Sequence, residues 1–175
     1  LPLETISHCI ITHAHSDHFY VSDLEMRGAD YVKIIDGLPF HVYGTKAVYD
    51  ETSRLVASIG AGLEDRVIPH LLEAFTPIQI DDYTVTPLPA AHDPLSNPVI
   101  YVIEDKCSSL LYAHDTGIFG EDVWKYLANR GRALDFVSLD CTAGLLSGCR
   151  HVHLGLDTCT DVKERMLKDG IADTH

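Results

Sequence analysis

Short apolar runs bounded by polar residues alternate along this chain with longer segments that are apolar on one side. The short runs have the alternating or continuous apolar character of strands, and the longer segments have the periodicity of amphipathic helices. Strands are predicted at 9–11, 40–43, 78–80, 83–89, 99–103, 109–113 and 136–139. Helices are predicted at 21–26, 46–59, 121–129 and 158–168.

The spacing of these elements predicts how the strands connect. Asp81-Asp82 separates two strands by a two-residue turn, and Glu104-Asp105-Lys106 separates another pair, so both pairs should form hairpins. Gly44-Thr45 instead leads from a strand into a helix, with Thr45 placed to cap it. Pro87 and Pro89 favour an edge position for their strand. Hairpins mixed with β–α steps favour an α+β core of two sheets flanked by helices over a doubly wound parallel sheet.

The length and composition are those of an ordinary soluble domain. The chain has 175 residues, of which 46% are hydrophobic and 22% charged, so we expect one domain over residues 1–175. No apolar run approaches the length of a membrane span, and no membrane partner is expected. The five cysteines are scattered and include no Cys-x-x-Cys pair, which favours a reduced, cytoplasmic setting.

The charge balance argues against a nucleic-acid partner. The chain has 13 Lys and Arg residues against 26 Asp and Glu residues, which gives a net charge of −13 at pH 7. Such a chain repels a phosphate backbone unless a basic patch is segregated on one face. The only local basic feature is Arg130-Gly131-Arg132, so nucleic-acid binding is disfavoured without being excluded.

A dense group of potential metal ligands follows the first predicted strand, in Thr12-His13-Ala14-His15-Ser16-Asp17-His18. His13 and His15 point to the same side of an extended segment, so two imidazole nitrogens can converge on one divalent ion. If the chain then turns into a helix, Asp17 and His18 can face a second position. Imidazole and carboxylate together suit zinc, manganese or iron. The spacing therefore predicts a metal site at the end of this strand.

Later segments also place acidic or imidazole side chains where predicted strands end. His92 follows the long strand, within Ala90-Ala91-His92-Asp93-Pro94, and Asp115 follows another, within Tyr112-Ala113-His114-Asp115-Thr116-Gly117. Asp140 ends a further strand, and the loop after it leads to His151-Val152-His153-Leu154-Gly155. Loop histidines and carboxylates are often merely solvated, so these residues alone leave a structural and a chemical role open.

The segment from His13 to His18 resembles the signature motif of the metallo-β-lactamase superfamily. The resemblance implies a four-layer αββα sandwich that holds one or two metal ions at the edge of its sheets. Members mostly hydrolyse phosphoesters, thioesters or amides. The implied cofactors are two divalent metal ions, zinc or manganese.

The resemblance also assigns roles to single residues. It implies that His13, His15 and His92 bind the first ion, that Asp17 and His18 serve the second, and that Asp115 bridges both. It further implies a catalytic role for Asp17. The element around His153 is similar to one found in cyclic ribose-phosphate phosphodiesterases and transfer-RNA 3′-processing nucleases, where such a histidine helps to protonate the leaving group. An imidazole suits that task because its pKa lies near neutrality.

One departure from the superfamily pattern concerns the chain ends. Superfamily members carry a further histidine on a late strand, whereas the only histidine after His153 is His175. We expect that ligand beyond residue 175, and the first strands of the fold before residue 1. The sandwich is therefore expected to be incomplete at both ends, and the second metal site to be incomplete in this chain.

The leading hypothesis is a metal-dependent hydrolase that cleaves a small, cyclic phosphodiester by means of a metal-bound hydroxide. The runner-up enzyme is a nuclease of the transfer-RNA 3′-processing type, and the alternative from another class is a metal-binding but inactive interaction module. A β-lactamase or thioesterase is less favoured because Asp115 stands where many lactamases carry cysteine. The expected partner is a small phosphodiester substrate, and homodimer formation stays open.

Overall fold

The computed structural model describes residues 5–28 and 38–173. These residues form two compact units. The first comprises the described residues of Leu1–Leu72 together with Leu95–Asn97, and the second comprises those of Glu73–Pro94 and Pro98–His175. The expectation of a single domain over residues 1–175 stays a prediction.

The first unit is built on a parallel three-stranded sheet with the order β1-β2-β3. Its elements are β1 (His8–Ile10), β2 (Phe40–Gly44), α1 (Lys46–Ile59) and β3 (Val67–Leu71), with 3₁₀ turns at Val21–Arg27 and Gly60–Gly62. One face of the sheet packs into a core that includes Val42, Val48 and Val67. A Cβ atom at Gly44 would lie 2.5 Å from the Val48 side chain, so glycine lets the start of α1 approach the end of β2.

The first unit departs from the sequence analysis at three places. Strand β3 was not predicted, because Pro69 and His70 interrupt its apolar run. The first strand occupies His8–Ile10 rather than 9–11. Thr45 does stand at the N-cap position of α1, but its hydroxyl donates to the Asn97 carbonyl over 2.6 Å instead of capping the helix.

The second unit is built on a five-stranded sheet with the order β4-β5-β6-β7-β8. Its strands are β4 (Ile78–Ile80), β5 (Tyr83–Pro89), β6 (Val99–Glu104), β7 (Ser109–Ala113) and β8 (Phe136–Leu139), and its helices are α2 (Glu121–Ala128) and α3 (Leu156–Lys168). A 3₁₀ turn occurs at Pro94–Ser96. The first four strands pair antiparallel, so both predicted hairpins are present, and β7 pairs β8 in parallel. Leu88, Ile100, Val123 and Leu154 are among the fully buried residues of its core.

The predicted edge position of the proline-containing strand is wrong, because β5 lies between β4 and β6. Strand β4 pairs only with Tyr83–Val85, so the half of β5 that carries Pro87 has no β4 neighbour. The Pro87 carbonyl accepts the N–H of Phe75 over 2.8 Å, on the side away from β6. The missing proline N–H therefore removes no hydrogen bond from the β5–β6 ladder.

The strand predicted at 136–139 is present as β8, and Phe136 is 63% exposed at this edge of the sheet. Helix α3 begins at Leu156, two residues earlier than predicted, after an N-cap at Gly155. The mixed α+β character predicted from the sequence is confirmed by the two sheets and their helices. None of the helices in the described ranges has the length and apolar character that crossing a membrane requires.

Candidate metal centre

In the first unit, a turn after β1 gathers the histidines of the signature segment. The carbonyl of His15 accepts the N–H groups of His18 and Phe19 over 3.0 and 2.7 Å, which folds His18 back toward His13. His13 is buried, and its ring centroid lies 4.5 Å from that of His15 and 4.5 Å from that of His18. The imidazoles of His15 and His18 therefore both lie within reach of His13.

The nitrogen spacing in this group fits a shared ion. His13 Nε2 lies 3.0 Å from His15 Nδ1. Two ligands of a tetrahedral zinc ion, each at 2.0–2.1 Å from the metal, would be about 3.3 Å apart. Thr12 Oγ1 lies 3.0 Å from His13 Nδ1, which fixes the ring so that Nε2 is the atom turned toward His15. The arrangement has the donors and the orienting contact that a histidine metal site needs.

Asp17 is placed differently from its neighbours. Its side chain is 79% exposed, and Oδ2 lies 3.5 Å from His18 Nε2. Asp17 lies outside the groups of His, Cys, Asp and Glu side chains that the described part of the chain brings within 4.8 Å of one another. Its roles as ligand and catalyst stay predictions.

A second group lies in the second unit, where His92, Asp115 and His153 bring their ligand atoms within 4.8 Å of one another. His92 follows β5, Asp115 follows β7, and His153 precedes α3. The His92 and His153 ring centroids are 5.1 Å apart, and His153 Nδ1 lies 3.4 Å from Asp115 Oδ1. Three residues widely separated in sequence thus form one set of donors.

Backbone contacts at the strand ends hold this set together. The N–H of Ala91 donates to the buried hydroxyl of Thr116 over 3.0 Å, and the N–H of Gly117 donates to the Ala91 carbonyl over 2.8 Å. These bonds join the segment that carries His92 to the segment that carries Asp115. Asp115 itself has φ 48°, in the left-handed region that Asp tolerates better than most residues and that recurs at functional sites.

Asp140 is hydrogen-bonded to the imidazole of His153. Its carboxylate is buried and lies 2.9 Å from His153 Nδ1, so the Nδ1–H donates to it and Nε2 is the ring nitrogen that Asp140 does not engage. The same carboxylate accepts the N–H groups of Thr142 and Leu154 over 2.9 and 3.1 Å. Burial raises the pKa of Asp140, but the hydrogen bonds from His153, Thr142 and Leu154 lower it more, so the net pKa is below its ordinary value.

No role had been assigned to Asp140 from the sequence. The available signal was an acidic residue at the end of a strand, followed by a loop that leads to a histidine. Sequence spacing could not show the contact, because Asp140 and His153 are 13 residues apart in an irregular segment.

His114 stands apart from the candidate ligands. Its Nε2 lies 2.7 Å from Ser138 Oγ on the neighbouring strand β8, and its ring stacks on Tyr112 at 4.3 Å. Like Asp17, it belongs to none of the donor groups found among the described residues. It therefore offers a matched control for its neighbour Asp115.

The donor chemistry of both groups suits a borderline divalent ion. Three imidazoles in the first unit, and two imidazoles with one carboxylate in the second, are the ligand types that zinc, manganese and iron accept. The residues present therefore fit the metal ions that the resemblance implies.

Comparison with solved structures identifies the fold. The metallo-β-lactamase fold protein YhfI from Bacillus subtilis shares 16% identity with a TM-score of 0.71, over 94% of this chain and 62% of that one. Unliganded yeast PDE1 shares 14% identity with a TM-score of 0.68, over 95% and 53%. Human tRNase Z, short form, shares 14% identity with a TM-score of 0.64, over 94% and 70%. This chain therefore spans about half to seven-tenths of these proteins.

The predicted metallo-β-lactamase-like α+β fold is confirmed by these similarities. No curated protein sequence matches this chain. The family described as "Beta-lactamase superfamily domain" matches residues 2–169, which is nearly the whole chain. The protein therefore belongs to the beta-lactamase superfamily and has the metallo-β-lactamase fold.

Proposed function

We propose that this protein is a metal-dependent hydrolase of small phosphodiesters, most similar to the cyclic ribose-phosphate phosphodiesterases. The observation that carries the proposal is the group of His92, Asp115 and His153, in which a buried carboxylate, Asp140, holds the imidazole of His153. Such a group combines metal ligands with a histidine oriented for proton transfer. The family assignment supports hydrolysis, and the phosphodiester class is our own inference.

The metal assignment keeps the sequence-based hypothesis of two divalent ions, zinc or manganese. In that hypothesis His13, His15 and His92 would hold one ion, Asp17 and His18 would serve the other, and Asp115 would serve both. When bound, such ions supply Lewis acidity toward a phosphoryl oxygen and lower the pKa of water. The carboxylate of Asp115 suits a shared position because each of its two oxygens can bind one cation.

The proposed role of His153 is to deliver a proton to the leaving oxygen from Nε2. Its Nδ1–H donates to Asp140, which fixes the orientation of the ring. Asp140 stays ionised because the pKa of this carboxyl is held below its ordinary value. The pair is the protein's own contribution to the departure of a poor leaving group.

Nuclease activity on transfer RNA is the second candidate, favoured by the structural similarity to human tRNase Z. The net charge of −13 weighs against it, because a long RNA substrate needs cationic side chains along its backbone. A small phosphodiester avoids that requirement, since its charge can be met by the metal ions alone.

The proposal is tested by the release of p-nitrophenol from bis(p-nitrophenyl) phosphate by protein loaded with zinc or manganese. We expect turnover that a chelator abolishes, that Asp115→Asn removes, and that the adjacent control His114→Gln retains. Cyclic ribose phosphates and a precursor transfer RNA, assayed in parallel, separate the two candidates. Metal binding without turnover on any of these substrates would contradict the proposal and indicate an inactive metal-binding module.

A further inference from the structure

Three further histidines lie together on the sheet of the first unit, outside the signature segment. The register pairs His8 with His41 and Tyr43 with His70, on strands β1, β2 and β3. His41 and Tyr43 are two residues apart and therefore point to the same face. That face is opposite the one on which Val42 enters the core. We call His8, His41, Tyr43 and His70 the sheet-face cluster.

The side chains of the sheet-face cluster are in direct contact. His41 Nδ1 lies 2.8 Å from His70 Nε2, so one of these nitrogens donates and the other accepts. The ring of His8 stacks on that of His41 at 4.9 Å and 15°, and the ring of Tyr43 stacks on that of His70 at 4.3 Å and 11°. His8 Nδ1 also lies 3.1 Å from the Tyr43 hydroxyl.

The separation of the two nearest nitrogens is close to that of two ligands on one ion. Nitrogens bound at 2.0–2.1 Å to a tetrahedral centre lie about 3.3 Å apart, so only a small outward movement of the rings would admit the ion. Both histidines are carried by paired strands, which hold their backbones in fixed register. Sites on strands are positioned more accurately than sites on loops.

The protonation state also suits a ligand role. Burial lowers the pKa of His41 and of His70, and the neighbouring imidazoles lower both further. The two rings are therefore neutral at pH 7, which is the form that binds metals.

We propose that the sheet-face cluster is a further transition-metal site, separate from the candidate metal centre, at which His41 Nδ1 and His70 Nε2 chelate Zn²⁺, Cu²⁺ or Ni²⁺. Imidazole-only sites favour these borderline ions over Mg²⁺ or Ca²⁺, which prefer oxygen. The site is independent of the proposed hydrolase function, because none of its residues belongs to the two donor groups described above.

The site is tested by adding Cu²⁺ to zinc-loaded protein and measuring bound copper by elemental analysis and electron paramagnetic resonance. The wild type should bind one copper ion more than a variant that lacks the two ligating imidazoles, and that ion should show nitrogen hyperfine coupling. The double variant His41→Gln, His70→Gln should bind at least tenfold more weakly, whereas the control His114→Gln should behave as the wild type. Equal copper binding by wild type and double variant would overturn the proposal.

A measurement on the wild type alone covers the case in which the double variant fails to fold. Substoichiometric Cu²⁺ should broaden the imidazole resonances of His41 and His70 in nuclear magnetic resonance spectra of zinc-loaded protein, and leave that of His114 sharp. If the resonances of His41 and His70 stay sharp at saturating copper, the sheet-face cluster binds no metal and is a hydrogen-bonded histidine stack only.

Discussion

At the scale of single residues, substitution of Asp140 is expected to affect metal binding and turnover through His153. Asp140→Asn keeps the shape of the side chain but removes the charge that accepts three N–H groups, including that of His153 Nδ1. We expect a loss of about 10–100-fold in metal affinity or turnover, as for other groups that orient a functional histidine. The measurements are metal content and kcat/KM.

The control for this variant is Asp135→Asn, at the other end of the same segment. Asp135 accepts from Ser109 and Arg132 and belongs to neither donor group. It should lose some stability without a change in metal affinity. Equal losses in metal affinity for the two variants would mean that Asp140 acts only through the stability of the fold.

His153 allows a test of proton transfer that separates it from a ligand role. If it protonates the leaving group, His153→Ala should lower turnover by roughly 10²–10⁴-fold on a substrate with an alkoxide-like leaving group. The loss should be small with p-nitrophenolate, which departs without a proton. Comparing kcat on the two substrates makes the measurement.

Equal losses on both substrates, with a parallel loss of metal, would instead make His153 a ligand. His151→Ala is the matched control, because it removes an exposed imidazole two residues away in the same loop. It should change neither rate.

The candidate ligands divide into those that spacing can show and those that it cannot. His13, His15 and His18 lie within six residues, so chain geometry alone predicts that they meet. The contact between Asp140 and His153 depends on the conformation of the irregular loop that joins them, and no local sequence periodicity predicts that conformation. Long-range polar contacts of this kind become visible only in three dimensions.

At the scale of elements, the segment between β8 and α3 is held by the carboxylate of Asp157. It accepts the N–H groups of Gly148 and Thr158 over 2.9 and 2.8 Å. The hydrogen bond from Gly148 is the main reason that the pKa of Asp157 is below its ordinary value. Its stabilising effect is therefore present above the unfolded-state pKa of about 3.9 and is lost as pH falls through the folded-state pKa.

We predict that the protection of the Gly148 amide against hydrogen exchange is constant near neutral pH and falls as Asp157 becomes protonated. Asp157→Asn should lower the protection at every pH above the folded-state pKa of Asp157, because the amide is a weaker acceptor than the carboxylate. Glu164→Gln, which removes an exposed charge from the same helix, is the control. Protection that is independent of both pH and Asp157 would contradict the assignment.

Helices α2 and α3 are joined by Arg165. Its guanidinium donates two hydrogen bonds to Glu121, of 2.8 and 3.0 Å, and its Cζ lies 4.3 Å from the centroid of the Trp124 ring. Arg165→Lys keeps the charge but loses the planar fork and its stacking, so Tm should fall by about 2–5 °C. Lys168→Gln at the exposed end of α3 should leave Tm nearly unchanged, and calorimetry on both variants makes the comparison.

The elements that were predicted correctly are those with strong local signals. The two-residue turn at Asp81-Asp82 fits the hairpin β4–β5, where Asp81 adopts φ 49° as such turns require. Strand β3 was missed because Pro69 and His70 break its pattern. The predicted edge position of β5 was wrong because a proline removes a ladder hydrogen bond on only one side of its strand. Strand β4 is too short to reach Pro87 on that side, so no such bond is lost.

At the scale of the whole molecule, the family and fold follow from features spread over nearly the entire chain. The identity of the substrate does not follow from the whole chain in this way. It depends on a few side chains around the site, and the sequence shows only some of the residues that form that site. The cytoplasmic location and the small phosphodiester substrate stay predictions. The net charge of −13 carries the preference for a small substrate over RNA.

The proposed hydrolase requires bound metal ions, and elemental analysis of dialysed protein tests whether it binds them. Protein equilibrated with Zn²⁺ or Mn²⁺ should retain the ion after dialysis. Asp115→Ala should lower the metal content by more than one ion per chain, because a shared carboxylate offsets the repulsion between two cations. The control His114→Gln should retain the wild-type amount. Wild-type protein that retains neither metal, or an Asp115→Ala variant with undiminished metal, would contradict the account.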